Sequence, residues 1–183
     1  MSQKVIGLVA SAVGGLDALH DGLVAPLVAR GCRVAVTLTP TAGAWLEDIG
    51  DTARIAATTG LPVRTSPRLP REQSPHPPID LYIGAPLSAN STAKLALGIA
   101  DNQALTVLCE NIATTPMIIF PRVNAAHARQ PAWDEHLRRL YRSPIHLIWG
   151  EDVWPLAEPR TAGPNRVLPW SSIIDTAARI LAI

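Results

Sequence analysis

Cysteine, charge and long apolar runs are all scarce in this 183-residue chain. Cys32 and Cys109 are the only thiols and each lies inside an apolar run, so they read as reduced core residues rather than a disulfide pair or a metal site. Charged residues make up 17% of the chain, the formal net charge is +1, and Arg and Lys are scattered among Asp and Glu. That dispersion argues against nucleic acid as a partner, because no basic stripe is available to follow a phosphate backbone. The apolar run in MSQKVIGLVASAVGG is too short to span a bilayer and lacks the charged flank and cleavage pattern of a signal peptide. A first strand of a cytoplasmic protein with no membrane segment is expected there.

What the chain has is alternation. Lys4–Ala10 is a β-branched apolar run ended by Gly14 and Gly15, and Leu16, Leu19, Leu23 and Leu27 then repeat at helical spacing up to Arg30. Pro26 either kinks that helix or marks its start, with Gly31 as the stop. Strand CRVAVTLTP and helix TAGAWLEDI follow, then a helix over Thr52–Thr59 stopped by Gly60 and a short strand over Leu61–Thr65. Ser66–Pro78 holds five prolines and reads as a loop or lid. Strand LYIGA, a helix over Asn90–Ala100, strand PMIIF, a helix over Pro131–Arg142, strand IHLIW and a helix from Ser171 complete the chain. Six unbroken apolar strands between amphipathic helices predict one α/β domain over residues 1–183, a doubly wound, Rossmann-like (flavodoxin-like) six-stranded parallel sheet in three layers. Ligands of such sheets sit beyond the carboxyl ends of the strands, at the turns after Ala10, Leu38, Ala85 and Phe120.

One of those turns is unusually polar. In PLSANSTAKLALGIADN, Ala93, Ala96, Leu97 and Ala100 fall at the spacing of a buried helical face, while Ser88, Asn90 and Thr92 crowd the start. Such residues either only cap the helix or also offer its free N–H groups to a phosphate or a polar ring.

This stretch resembles the PASANTxAKLANGxADN signature of the homo-oligomeric flavin-containing cysteine decarboxylases. Three further landmarks carry the resemblance: Ala10-Ser11-Ala12 where relatives have Thr-Gly-Ser, LTPTAGAWL where they have LTxSAxxFI, and PRVNAAHARQPAW where they have PxMNxxMWxxPA. The resemblance implies trimers, or dodecamers built from trimers, with FMN at a subunit interface. It implies FMN contacts at Ser11, Thr41, Ser88, Ala89, Asn90 and Thr92. It also implies the reaction of phosphopantothenoylcysteine decarboxylase and the lantibiotic peptidyl-cysteine decarboxylases, in which FMN takes a hydride from Cβ of a cysteine whose carboxylate is free, and CO2 then leaves.

The protein's tasks in that reaction are to deprotonate the thiol, hold the carboxylate and align Cβ with the flavin. Asn124 stands where the motif Asn stands and is the first catalytic candidate, its amide donating either to a substrate carboxylate or to the flavin, against a purely turn-forming role. His76 is the only histidine in the region just upstream of the signature strand, in a proline-rich setting where Glu72 falls nearer the family position; it is either the base or a solvated loop residue. His127 replaces the second Met of the motif and is either an acid or base beside the flavin or a polar helix-start residue. Arg122 offers a cation for an anionic substrate or sits at the surface. No cysteine lies between Trp149 and Trp170, where the pantothenate enzymes carry one in a substrate clamp. In that segment Trp170 reads as core and Trp154 as either core or pocket wall.

Oxidative decarboxylation of a terminal cysteine or related thiol acid, in a natural-product pathway, is the first functional expectation. An FMN-binding regulatory or interaction subunit without catalysis is the alternative. Flavin prenyl transfer ranks below both, since the Arg-rich segment and the C-terminal Tyr of that family are not evident, and an oligomeric scaffold with no flavin is the remaining possibility.

Overall fold

In the computed structural model, which describes residues 3–161 and 166–183, five parallel strands form one sheet in the order β2-β1-β3-β4-β5. They are β1 (Val5–Ala10), β2 (Arg33–Leu38), β3 (Leu81–Leu87), β4 (Met117–Pro121) and β5 (Ile145–Leu147). Alternate side chains enter opposite faces, as the two-residue repeat of a strand requires. Ile6, Leu8, Val34, Val36, Ile83 and Phe120 join one core, and Val9, Leu87, Met117 and Ile119 join the other.

The sixth strand expected at Leu61–Thr65 does not form. Only Arg64 reaches the sheet, as a parallel bridge to Thr37, through Leu38 N–H to the Arg64 carbonyl at 2.7 Å and Arg64 N–H to the Val36 carbonyl at 2.9 Å. Pro62 supplies no N–H and Pro67 follows, so the ladder cannot extend in either direction.

The helical stretch after β1 starts as a 3-10 turn at Leu16–Ala18, widens to a π turn at His20–Val24 and becomes α1 (Ala25–Ala29). Pro26 lies in the first turn of α1, so the chain is helical on both sides of the proline, and the change of hydrogen-bond register falls where its N–H is missing. Gly22 has no room for a side chain: a Cβ would lie 2.2 Å from Trp170 Nε1.

Thr39 caps α2 (Pro40–Asp48), and α3 (Asp51–Thr59) ends at Gly60 with φ 65°. Ser88 caps α4 (Ala89–Leu97), which ends at Gly98 with φ 72°. The helix expected to run to Ala100 therefore stops early, and Asn102 caps a helix that the alternation pattern leaves unassigned, α5 (Gln103–Asn111). One helix expected over Pro131–Arg142 is preceded by the single turn α6 (Ala125–Ala128) and begins at Trp133 as α7 (Trp133–Tyr141). The chain closes with α8 (Trp170–Leu181).

The buried face of α4 is also not the expected one. Ser91, Thr92 and Leu95 point inward, whereas Leu97 is 48% exposed and Ala100 is exposed. The helix is turned by about one residue, roughly 100°, relative to the alanine stripe. No helix among the described residues is long and apolar enough to cross a membrane.

Candidate functional site

β1 is flanked by β2 on one side and β3 on the other, so the chain leaves its two neighbours in opposite directions and opens a crevice at their carboxyl ends. Backbone bonds tie the rims together. Ser11 N–H donates to the Pro86 carbonyl at 2.9 Å, Thr39 N–H to Ala10 at 3.0 Å, and Arg122 N–H to Leu87 at 2.7 Å. All six candidate cofactor residues therefore stand on neighbouring turns of one rim.

Their side chains divide into two groups. Ser88 Oγ accepts from Ser91 N–H at 3.1 Å and is spent on capping α4. Ser11 Oγ and Thr92 Oγ1 are buried and have no hydrogen-bond partner among the described residues. An unsatisfied buried hydroxyl costs about 1–3 kcal/mol, so two of them at one rim are what a polar ligand would relieve. The N–H groups of Thr41, Ala89 and Asn90 lie in the first turns of α2 and α4, where no intrahelical acceptor exists. The Thr41 and Asn90 side chains are exposed, and Ala89 packs towards Val123 and Trp133. Thr39, whose Oγ1 caps Ala42 N–H at 3.4 Å, was not among the candidates; a Thr followed by Pro at the first helical position is its sequence signal.

The β4 rim carries the rest. Asn124 caps α6, its Oδ1 accepting from His127 N–H at 2.9 Å, which leaves the carboxamide NH2 without a partner among the described residues. The His127 side chain is exposed. Residues after Trp149 fold back over α6: Ala125 N–H donates to the Ala157 carbonyl at 2.9 Å, and Arg129 makes a two-pronged pair with Glu158 at 2.5 and 2.9 Å. The Arg129 guanidinium holds the Glu158 carboxyl below the usual carboxylate range. Trp154 and Trp170 are both buried in the core, and half-buried Trp149 packs against Trp133 with ring centres 5.6 Å apart. Residues 162–165 of the expected clamp segment lie outside the described residues.

His76 stands elsewhere. Its Nε2 lies 2.9 Å from the Pro62 carbonyl oxygen, and it borders a separate small cavity of about 80 Å3 with Gly7, Thr37, Tyr82 and Val107. Burial pushes its pKa below the ordinary histidine value. Glu72 accepts from Leu69 N–H at 2.7 Å within its own loop. Within one chain, neither is brought to Asn124. A larger cleft of about 520 Å3 opens between the turn after β1, at Gly14 and Gly15, and the side chains of Trp45 on α2 and Ile49 just beyond its end.

The family model described as Flavoprotein matches residues 3–181, nearly the whole chain. The chain belongs to the Flavoprotein family. This flavoprotein is 31% identical over 171 residues to the coenzyme A biosynthesis bifunctional protein CoaBC of Escherichia coli K12, an alignment covering 90% of this chain and 40% of that protein. The chain thus spans less than half the length of that curated relative. Its fold is that of TvaF, an FMN-dependent cysteine decarboxylase from thioviridamide biosynthesis, with a TM-score of 0.71 at 24% identity over all of both chains. It is also that of the peptidyl-cysteine decarboxylase EpiD, with a TM-score of 0.62 at 16% identity over 80% of this chain and 86% of EpiD.

Proposed function

We propose that this flavoprotein binds FMN in the crevice between β1 and β3 and uses it for the oxidative decarboxylation of a C-terminal cysteine or a related thiol acid. The observation that carries the reading is the pair of buried hydroxyls, Ser11 Oγ and Thr92 Oγ1, left without partners among the described residues at the switch point of the sheet. When bound, FMN supplies the hydride acceptor. The chain supplies the rest. The free N–H groups of Thr41, Ala89 and Asn90 at two helix starts suit an anionic phosphate, and Ser11 and Thr92 suit polar atoms of the ligand. Asn124 is held by its capping bond so that its carboxamide NH2 is available to orient a substrate carboxylate. Cytoplasmic assembly as a trimer or dodecamer, with FMN at the contact between subunits, is part of the same proposal.

A second reading, an FMN-binding subunit without turnover, is favoured by one observation: His76 is hydrogen-bonded to Pro62 away from Asn124. The test separates the two. A visible spectrum of the purified protein and mass spectrometry of the released cofactor establish FMN, and anaerobic mixing with cysteine-ended peptides then reads flavin bleaching and CO2 release. Bleaching supports the decarboxylase, retained FMN without bleaching by any thiol supports the binder, and a colourless protein that cannot be loaded sinks both.

A further inference from the structure

Two guanidinium groups meet one indole at the carboxyl end of β4. Arg122 Cζ lies 5.6 Å from the centre of the Trp154 ring and Arg166 Cζ lies 3.6 Å from it. The ring is fixed, because Trp154 is 3% exposed and packs edge-on against Phe120 at 5.8 Å. A cation over an indole face is attracted by the ring, but two like charges sharing one ring repel.

Nothing among the described residues relieves that repulsion. Arg54, Arg129, Arg138 and Arg139 carry the arginine ion pairs, and among the described residues no carboxylate pairs with Arg122 or Arg166. Arg166 donates to the Pro155 carbonyl, while Arg122 Nε is buried with no acceptor among the described residues. Burial and the Arg166 charge together draw the Arg122 pKa below its ordinary value. A partly buried cation pair with an unused donor costs free energy unless an anion completes it.

Position gives the arrangement a use. Arg122 packs on Gly14, where an added Cβ would stand 3.2 Å from a terminal guanidinium nitrogen, and Gly14 also lines the cleft beside the turn after β1. Arg122 thus stands against Gly14, one wall of the cleft that Trp45 and Ile49 close, and precedes Asn124 by two residues in the chain. The cofactor phosphate already has the helix starts of α2 and α4, and the reacting carboxylate has the Asn124 amide.

We infer that Arg122 and Arg166, stacked on Trp154, form an oxyanion subsite for a second carboxylate or a phosphate that the substrate carries away from its reacting cysteine. The inference rests on the thiol-acid reading above and narrows it to substrates with an additional anionic group. It also makes Arg122 and Arg166 specificity residues rather than catalytic ones.

Calorimetric titration of the flavin-loaded protein with inorganic phosphate, and separately with acetate, tests it at fixed low ionic strength. Saturable binding of at least one anion is expected, and whichever binds tighter identifies the substrate group. Arg122→Met and Arg166→Met should each weaken binding about tenfold to a hundredfold, the range of a lost charge-assisted bond, with Arg122→Lys less affected than Arg122→Met. Circular dichroism checks folding, and half-exposed Arg166 gives a second variant, Arg166→Gln, should Arg122→Met misfold. Equal binding by wild type and the double Met variant overturns the inference, as does the lack of saturable binding of either anion. Phosphate binding seen only after flavin is stripped also overturns it, since the pair then serves the cofactor. Flavin content, read from the spectrum of the same samples, keeps a failure of the FMN reading distinct from a failure of this one.

Discussion

The Ser11 N–H donates to the Pro86 carbonyl at 2.9 Å, so the turn after β1 is fixed to the strand that leads into Ser88, Asn90 and Thr92. Ser11 Oγ is thereby held in place with nothing to bond among the described residues. If its partner and that of Thr92 are ligand atoms, the two hydroxyls should have opposite effects with and without the ligand. Thr92→Val is expected to leave the flavin-free protein as stable as wild type, or up to about 1 kcal/mol more stable, because an unsatisfied buried group is removed. The same variant, and Ser11→Ala, should bind FMN about tenfold more weakly in equilibrium dialysis. Wild-type affinity in both would exclude these hydroxyls from the site.

Asn124 caps α6 and is proposed to orient a carboxylate, and one substitution can separate the two roles. Serine is as good an N-cap as asparagine but has no carboxamide. Asn124→Ser should keep the stability of wild type within about 0.5 kcal/mol while lowering the rate of peptide decarboxylation by roughly tenfold to a hundredfold, the worth of a hydrogen bond to a charged group. Asn124→Ala should lose the cap as well, and denaturant melts run beside the rate assay report that difference. An Asn124→Ser protein with full activity would leave the residue a structural cap.

Gly22→Ala is expected to destabilise the fold by about 1–3 kcal/mol, since the new methyl group would meet Trp170 at 2.2 Å from Nε1 and 2.4 Å from Cδ1. Chemical denaturation measures it. Trp170→Phe should recover part of the loss, so the double variant should be less destabilised than the two single effects predict.

The Asp21 carboxyl is held below the usual aspartate range, first by the hydrogen bond with His20 and then by Arg54. Its folded pKa is depressed, so the unfolded chain binds the proton more readily as pH falls. The associated stabilisation is therefore present above the unfolded value of about 3.9 and lost as pH drops through the folded value. Wild type should exceed Asp21→Asn in stability at about pH 6, and the gap should close towards about pH 3. The side chain is 67% exposed, so the gap is small and should shrink further with added salt. A gap that widens on acidification contradicts the assignment.

Strands buried on both faces were legible because β-branched runs such as VIGLVA and RVAVTL have few other places to go. Leu61–Thr65 misleads because its composition suits a strand while Pro62 removes the donor that a ladder needs. The phase of α4 was not readable either. Alanines at 93, 96 and 100 make a helical stripe with little apolar area, so the polar-looking Ser91 and Thr92 could take the inner face beside Leu95. That the candidate cofactor residues share one rim was legible from the positions of the turns alone, since a parallel sheet gathers its carboxyl ends at one edge. The grouping of Arg122, Trp154 and Arg166 was not, because three residues so far apart in the chain meet only through packing around Phe120.

The bond from Ala125 to Ala157 and the Arg129–Glu158 pair join the turn that bears Asn124 to the segment that crosses it. The two pieces cannot swing independently while both links hold. If the substrate is the cysteine-ended peptide proposed above, lifting the crossing segment to admit it would either break the links or carry Asn124 with it, so that entry and alignment would be one event. Weakening the links by Glu158→Gln would loosen that coupling, trading accuracy of placement for speed of exchange.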